Sequence, residues 1–454
     1  MIATKLIAAR VLLVLAAAVL SSQIAFAGLP IQQWTLANGA RVWLAESHAI
    51  AMVDVELDFD AGTRRDPAGK AGLANVTAQM ASKGIAASQG QPALDENQLG
   101  EAWADLGAGF GASASLDRMS FSLRSLSYPD LLPKAAQLAA RQLGGPAFPD
   151  AVWVRERERI SAAIREANTR PATVAGKAFV AAVYGAHPYG FDANEAALAR
   201  ISTADMRELY ARAIEPCRAR VSIVGDLTRA QAEALVNTLL SQLPPRDAGR
   251  CEAPPPVAEV LPLAAPVVQD IPFASAQAHV LIGQPGYRRQ DADYFPLTVG
   301  NYILGGGGFV SRLQNEVREK RGLTYGVSSY FSPGLHAGAF VLGLQTRPDQ
   351  TAQAVQVARE VLARFVAEGP TDVELKAAKD NLVGGFALRI DSNRKLLDNI
   401  AGIAWNNLPL DYLDTWTKQV EQVSVADIKA AFARKLQPDR MVTVTVGAVA
   451  PRQQ

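Results

Sequence analysis

An arginine and a tyrosine seven residues apart, Arg318 and Tyr325, have side chains suited to holding a peptide. They follow four consecutive glycines, Gly305, Gly306, Gly307 and Gly308, in the stretch LGGGGFVSRLQNEVREKRGLTYGVSSYF. A planar guanidinium and a phenol hydroxyl both donate hydrogen bonds to carbonyl oxygens, so together they can fix a peptide backbone and stabilise a developing oxyanion. The glycines leave the backbone free to bend and to approach another chain closely, which predicts a flexible loop.

The elements around this pair are predicted from the same stretch. Apolar spacing predicts a helix over residues 309–320, and Gly322 ends it. Residues 324–328 alternate as a strand does, so the arginine lies at a helix end and the tyrosine at a strand start. Two other interpretations stay open: the glycines could cradle phosphate, although no Gly-Lys-Ser/Thr follows, or the pair could be ordinary surface residues.

A second candidate site has the spacing of a metal site without its ligands. Three apolar residues at i, i+3 and i+7 predict an amphipathic helix over residues 72–82: Leu73, Val76 and Met80. The same helix carries Asn75 and Gln79 at i and i+4, with Ala78 beside them. Two histidines at that spacing bind Zn²⁺ and an adjacent carboxylate activates water. A carboxamide is a poor zinc ligand, however, and alanine cannot accept a proton.

The first of these stretches resembles the second-domain signature of the pitrilysin/insulinase metallopeptidases, and the helix resembles their zinc-binding segment. In that family a Gly-Thr/Ser-Arg loop and a Gly-Leu-Ala helix start precede His-x-x-Glu-His, and Lys-Gly follows. This sequence keeps three of those elements in register: Gly62-Thr63-Arg64, Gly72-Leu73-Ala74 and Lys83-Gly84. The resemblance implies that Asn75 and Gln79 replace the zinc histidines, that Ala78 replaces the general base, and that Arg318 and Tyr325 face an active site.

No metal is expected in this chain. The family's third zinc ligand is a glutamate on a later helix, and Glu166 is the nearest match, in a loosely aligned segment. The charged run at residues 156–159 reads as a solvated helix face with paired charges. None of the four histidines pairs with another at a ligand spacing, and His187 reads as a structural residue. Zinc is therefore expected only in a partner subunit.

The elements that must position these groups occur twice. In each half a strand, a glycine-containing turn and a helix are followed by further strands, long helices and a closing β-run that ends in Val-Gly. This repetition predicts an α+β fold of two homologous domains, each a mostly antiparallel sheet with helices packed on one face. Residues 28–243 and 266–451 form the domains, and a Pro-rich linker, 244–265, joins them. The resemblance implies that they form half of a clamshell.

The N-terminus predicts export. A basic start, an apolar stretch over residues 11–20 and Ala25-Phe26-Ala27 are typical of a signal peptide that ends at residue 27. We expect a periplasmic protein without membrane attachment after cleavage; the alternative is an uncleaved anchor. Cys217 and Cys251 could form a disulfide in that compartment or remain two thiols. The formal net charge of +1 gives no basic field for nucleic acid.

These expectations combine into one functional hypothesis. The chain would be the zinc-less subunit of a heterodimeric periplasmic metallopeptidase, inactive alone and paired with a homologue that carries His-x-x-Glu-His. It would bind the peptide substrate and stabilise the oxyanion through Arg318 and Tyr325. The alternative is a catalytically inert scaffold or peptide-binding protein of the same fold. An independent serine or cysteine hydrolase has no supporting motif in this sequence.

Overall fold

The computed structural model describes residues 30–88, 90–244 and 251–448. The predicted signal peptide and part of the predicted linker lie outside the described residues. The described chain contains two β-sheets, one in each half of the sequence, and helices that cover them. This confirms the predicted α+β class.

The first sheet has six strands in the order β1-β2-β6-β3-β5-β4. The strands are β1 Gln32–Thr35, β2 Arg41–Glu46, β3 Met52–Phe59, β4 Gly109–Ala114, β5 Met119–Leu126 and β6 Arg220–Gly225. Alternation along β3 sends Val53, Val55 and Leu57 into the core, while Asp54 and Glu56 lie on the opposite face. These polar side chains are buried as well, Asp54 at 2% and Glu56 at 7% exposed, so both faces of the sheet are covered at this strand.

Eight helices belong to the first half of the described chain. They are α1 Leu73–Met80, α2 Glu96–Asp105, α3 Leu132–Gly144, α4 Asp150–Ala167, α5 Pro171–Tyr184, α6 Glu195–Ala199, α7 Thr203–Ala213 and α8 Arg229–Leu240. Several begin at a side-chain cap; Asp95 and Ser202, for example, each start a helix with a reciprocal capping box.

The second sheet has five strands in the order β7-β11-β8-β10-β9. They are β7 Val267–Ile271, β8 Ala278–Pro285, β9 Val327–Phe331, β10 Ala339–Thr346 and β11 Val442–Val446. The α-helices of this half are α9 Tyr294–Asn301, α10 Thr351–Glu368, α11 Asp372–Gly384, α12 Asn393–Trp405, α13 Tyr412–Gln422 and α14 Val425–Lys435. Two π-helical segments occur here: Tyr302–Gly306, which includes the first two residues of the glycine run, and Gln314–Glu319, which follows the run.

The two sheets repeat one topology. In the first, β2 runs parallel to β6, and β3, β5 and β4 follow in antiparallel order. In the second, β7 runs parallel to β11, and β8, β10 and β9 follow in the same antiparallel order. Strand β1 is an additional edge strand on the first sheet. The predicted internal duplication is therefore visible strand by strand.

Each half also lends a helix to the other. Helix α5 of the first half packs on β8 and β11 of the second sheet, where Phe179 lies against Val444 and its neighbours. Helix α12 of the second half packs on β3 and β6 of the first sheet, where Ile400 joins a cluster with Trp43 and Val224. The prediction of helices on one face of each sheet is therefore incomplete, because it did not include helices contributed by the other half. Sequence periodicity predicts that a helix is buried on one face, but not which sheet that face covers.

The described part of the linker is fixed to the first half. Cys251 forms a disulfide with Cys217, with 6.1 Å between their Cα atoms, which resolves the alternative left open by the sequence. Arg218 donates to the carbonyl of Glu252 at 2.9 Å, and Arg65 donates to that of Pro255 at 2.6 Å. From residue 251 onward the linker is therefore a docked strap without regular secondary structure.

Candidate functional site

The degenerate metal helix is held at its start by a buried aspartate. Asp66 accepts hydrogen bonds from the backbone N–H groups of Gly72 at 2.8 Å and Ala74 at 2.9 Å. Burial raises the pKa of Asp66 to about 6, although these N–H donors favour the charged form. Gly72 adopts a φ of +96°, which favours glycine. The in-register residues of this segment therefore fix the direction of α1.

The three replaced positions lie in different environments on α1. Asn75 is exposed, Ala78 is buried, and Gln79 is partly buried. The amide nitrogen of Gln79 donates to Oε2 of Glu156 on α4 at 2.9 Å. Of the two glutamates, it is therefore Glu156, and not Glu166, that lies beside the degenerate metal positions.

The structure answers one open question about α4, the role of Glu166, and corrects one interpretation, that of the charged run. Glu166 is exposed and pairs with Arg170 at 2.6 Å, so it is not a vestigial ligand. Glu156 is only 4% exposed, so the charged run at 156–159 is not simply a solvated face. In sequence, a glutamate surrounded by arginines has the pattern of an exposed helix face, so its burial was not predicted. Trp153, three residues earlier and therefore on the same helix face, is buried and could have indicated that Glu156 points inward.

Cations of the chain surround Glu156. Arg159 donates to it at 2.8 Å, Arg155 at 3.0 Å, and the Lys83 ammonium lies 3.6 Å away. Burial alone would raise the pKa of this carboxyl, but the hydrogen bonds from Arg159 and Arg155 outweigh burial and leave the pKa below its ordinary value. Glu96 completes the network by pairing with both Lys83 and Arg155.

This arrangement does not fit zinc. The one carboxylate at the site already receives an amide hydrogen bond and neighbours three protein cations, and neither Asn75 nor Gln79 offers an imidazole. Within residues 30–88, 90–244 and 251–448, the only acidic, histidine or cysteine side chains grouped closely enough to share a metal are Glu215, Cys217 and Cys251. The two sulfurs of that group are already bonded to each other.

Arg318 and Tyr325 come together in the structure. The Arg318 guanidinium lies 5.0 Å from the centre of the Tyr325 ring and 4.7 Å from that of Phe309. Tyr325 is 83% exposed and Phe309 is 70% exposed. The guanidinium is therefore flanked by two exposed rings, an arrangement that favours one orientation of its planar donor edge. Phe309 is a member of this group that the sequence interpretation missed.

The helix and strand that carry the pair differ slightly from prediction. Residues 312–319 are helical, with a separate short turn at Gly308–Val310, and Leu313 and Val317 are fully buried. Arg312 anchors this helix through a bidentate contact with Glu374 at 2.6 and 2.7 Å. Strand β9 begins at Val327, so Tyr325 precedes the strand and is free of its ladder.

The glycine run packs closely against its own chain, which the sequence interpretation did not anticipate. Gly305 and Gly306 belong to a π-helical turn, and Gly307 ends it. A Cβ atom on Gly305 would lie 2.4 Å from Oγ of Ser329, and one on Gly307 would lie 2.7 Å from the carbonyl of Tyr302. These glycines therefore serve close packing within this chain, whereas Gly308, with a φ of +62° and open surroundings, is the residue that turns it.

A groove of about 330 Å³ runs beside Tyr325 on the second sheet. It is bounded by the first turn of α5 and by strands β8, β9 and β10, with His279, Ser328 and Gln345 among its polar residues. Burial lowers the pKa of His279, which favours the neutral imidazole. The groove thus combines an aromatic edge with uncharged hydrogen-bonding groups.

Both halves of the chain are similar to known protein families. Residues 41–193 match the family model described as Insulinase (Peptidase family M16), and residues 200–382 match the model described as Peptidase M16 inactive domain. An uncharacterized zinc protease of Mycobacterium leprae is 26% identical over 420 residues, which are 92% of each chain. A protein of Helicobacter pylori named a non-peptidase homolog is 28% identical over about half of each chain.

A solved structure agrees with this assignment. The peptidase M16 inactive domain from Pseudomonas fluorescens is 33% identical, with a TM-score of 0.86, and covers 94% of this chain and 99% of its own. No helix in the part of the chain that the structure describes is long and apolar enough to cross a membrane. The strand order, the in-register remnant on α1 and these matches together place the chain in the M16 (insulinase) family of peptidases.

Proposed function

We propose that this chain is the zinc-less subunit of a heterodimeric, exported M16 peptidase, in which a homologue with His-x-x-Glu-His carries the metal. The observation that carries the proposal is Arg318, whose guanidinium is flanked by two exposed rings and has as its nearest ionic partner Glu319, at 3.6 Å. The Arg318 side chain is itself 25% exposed, and a partly exposed donor edge oriented in this way suits a carbonyl oxygen of another molecule.

The division of labour follows from what each half offers. The partner would supply the metal and the activated water. Arg318 would bind a substrate carbonyl and favour the charged oxygen that develops on it, and the Tyr325 hydroxyl would donate a second hydrogen bond. The peptide would lie extended, paired with an edge strand of the partner, since backbone pairing binds varied sequences.

Peptide cleavage by the purified mature chain tests this proposal. The chain is assayed with Zn²⁺, alone and mixed with an exported His-x-x-Glu-His homologue from the same cell. We expect cleavage only in the mixture, and we expect a chelator to abolish it. Cleavage by the lone chain would overturn the proposal, as would a stable mixed complex in which this chain adds nothing to the homologue's rate.

Two variants assign the roles within an active mixture. Arg318→Ala should lower kcat/KM by about 100- to 1,000-fold if the guanidinium stabilises the oxyanion, and Tyr325→Phe should lower it less. Arg321→Ala is a matched control, because Arg321 lies on the same segment but pairs with Glu316 at 2.7 Å. Equal activity of the Arg318 variant and the control would reject the assigned role.

An inert scaffold is the second candidate, and the Glu156 network favours it. That network converts a former metal position into an internal contact between α1 and α4, as a purely structural subunit would require. A complex that forms normally but is indifferent to Arg318→Ala and Tyr325→Phe would support this candidate.

A further inference from the structure

A loop of the second half docks onto the first half through backbone hydrogen bonds. The N–H of Leu335 donates to Oδ2 of Asp117 at 2.9 Å, and the N–H of His336 donates to the Tyr189 hydroxyl at 3.2 Å. Gly334 permits this approach, since a Cβ atom there would lie 2.7 Å from the Tyr189 oxygen. The loop follows β9, the strand that begins just after Tyr325.

Asp117 is the anchor on the first half. It also accepts hydrogen bonds from Nε of Arg64 at 3.1 Å and from the Tyr189 hydroxyl at 2.5 Å. Asp117, Tyr189 and Arg64 are all buried. The docking surface is therefore prearranged, and the loop completes it with two main-chain donors.

His187 joins this surface to the linker strap and uses both ring nitrogens. Nδ1 lies 3.1 Å from the backbone N–H of Tyr189, and Nε2 lies 2.9 Å from the carbonyl of Ala258. An N–H can only donate and a carbonyl can only accept, so Nδ1 must be bare and Nε2 must carry the proton. These two contacts are compatible with the neutral imidazole alone.

A second imidazole lies next to the first. The rings of His187 and His336 are 5.3 Å apart, and Nδ1 of His336 lies 3.1 Å from a carboxylate oxygen of Glu259 on the strap. Titratable or charged groups of the neighbouring segments face His187: Tyr184, Tyr189, Asp117, Glu259 and His336. Arg64 is one contact further away, paired with Asp117. Two protonated imidazoles at this separation would repel each other.

We propose that His187 and His336 form an acid-sensitive latch that joins the first half, the linker strap and the second half. Protonation of His187 at Nδ1 removes the acceptor of the Tyr189 backbone N–H. The new Nδ1–H and the Tyr189 N–H, both hydrogen-bond donors, then face each other. The turn that presents the Tyr189 hydroxyl then loses its cap. The loop at residues 334–336 and the strap at Ala258 are released together.

The direction of the pH effect follows from the environment of His187. Burial lowers the pKa of His187, and repulsion from His336 acts in the same direction. A histidine with a lowered pKa in the folded state holds fewer protons there than in the open state. The latch is therefore fully stable above the ordinary histidine pKa of about 6.5 and weakens as pH falls below that value.

Hydrogen exchange on the purified mature chain tests the latch. Amide protection is measured at pH 7.5 and pH 5.0 and corrected for the chemical exchange rate. We expect protection to fall by up to about tenfold per pH unit in three segments only, residues 185–192, 254–260 and 333–338. Strand β3 should keep its protection. Equal protection of the three segments at both pH values would overturn the proposal.

Substitution identifies the responsible group. His187→Asn cannot titrate but keeps an oxygen able to accept from the Tyr189 N–H, so the pH dependence should disappear. His48→Asn is the matched control, since His48 is exposed and pairs with Asp226 far from the latch, and it should leave the pH dependence intact. Persistence of the dependence in His187→Asn would reject the latch.

Nuclear magnetic resonance of the four histidines covers the case in which His187→Asn is already open at pH 7.5. In the unaltered chain, the titration midpoint of His187 should coincide with the midpoint of protection loss. Midpoints that differ by more than about one pH unit would mean that another group drives the opening.

Discussion

The two halves of the chain build the same sheet but treat their polar groups in opposite ways. In the first half, Gln79 and three cations satisfy Glu156, so the degenerate metal positions expected from the sequence are filled by contacts within the chain. In the second half, Arg318 and Tyr325 remain at the surface, and the rings orient the guanidinium without consuming its donors.

This difference in hydrogen bonding suggests a criterion that separates a polar cluster with a structural role from one that can bind a ligand. Polar side chains that are saturated by their own chain contribute to stability, and a ligand would have to displace those partners. Polar side chains that are oriented but unsaturated contribute little to stability and retain capacity for another molecule. This criterion supports the proposal that the second half binds the substrate and that α1 has a structural role in the first half.

Zinc binding offers the largest test of the comparison. Asn75→His together with Gln79→His should create a site with Glu156 as third ligand, because position 79 already touches that carboxylate. We expect the double variant to bind Zn²⁺ with a Kd near ~1 μM, about −8 kcal/mol, measured by titration calorimetry. Adding Glu156→Ala should abolish binding. Undiminished binding in the triple variant would show that α1 and α4 do not form the remnant site.

Helices α5 and α12, which each pack on the sheet of the other half, should contribute similarly to the stability of the two halves. Phe179→Ala on α5 should lower the free energy of unfolding by about 3–5 kcal/mol and Ile400→Ala on α12 by about 2–5 kcal/mol, because both side chains are buried against the other half's sheet. Calorimetry should show one transition that shifts as a whole. Ala181→Ser, on an exposed position of α5, should change stability by less than ~0.5 kcal/mol. Two separate unfolding transitions would contradict the idea that α5 and α12 make the two halves unfold together.

Glu156 should contribute stability without metal. Glu156→Ala should lower the free energy of unfolding by about 2 kcal/mol at pH 7, as expected for loss of hydrogen bonds to a charged group. Glu166→Ala, which removes an exposed carboxylate from the same helix, should cost less than ~0.5 kcal/mol.

The pH dependence of the same pair of variants provides an internal check. The pKa of Glu156 is lowered in the folded state, so its contribution is present above the ordinary glutamate pKa of about 4.3. The contribution should vanish as pH falls through the lowered value. A Glu156→Ala effect that is the same at pH 3 and pH 7 would argue for packing rather than charge.

Phe309 offers the smallest effect. In an assembled, active peptidase, Phe309→Ala should weaken substrate binding about two- to fivefold, because an exposed ring contributes roughly 0.5–1 kcal/mol to orienting a guanidinium. Val310→Ala is the control, since Val310 is similarly exposed and adjacent. Equal KM values for the two variants would remove Phe309 from the binding group.

Much of the fold is readable from the sequence because strand alternation and helix periodicity are local. The long helices expected in the second half include α10 at Thr351–Glu368, and the expected closing β-run that ends in Val-Gly is β11, which stops one residue before Gly447. The exchange of α5 and α12 is not readable, because an amphipathic helix specifies that it will be buried and not where.

The candidate site was predicted at the residues that the family motif fixes and missed where loop lengths vary. Asn75 and Gln79 lie one turn apart on α1, and Arg318 and Tyr325 lie seven residues apart with the guanidinium beside the ring, so a short motif is enough to identify each pair. Glu156 was missed because its distance along the chain from α1 depends on the intervening loops. The packing role of Gly305 depends on Ser329, which no sequence pattern connects to it.

The helix exchange also constrains the order in which this chain can mature. Strands β2, β3 and β6 are made early, but the face that carries Trp43 and Val224 has no cover until α12 has been synthesised. Domains commonly fold in sequence as they leave the ribosome, and this chain lacks that option for its first half. Nearly the whole polypeptide must be available before either sheet is complete, which is compatible with the proposed export of this chain.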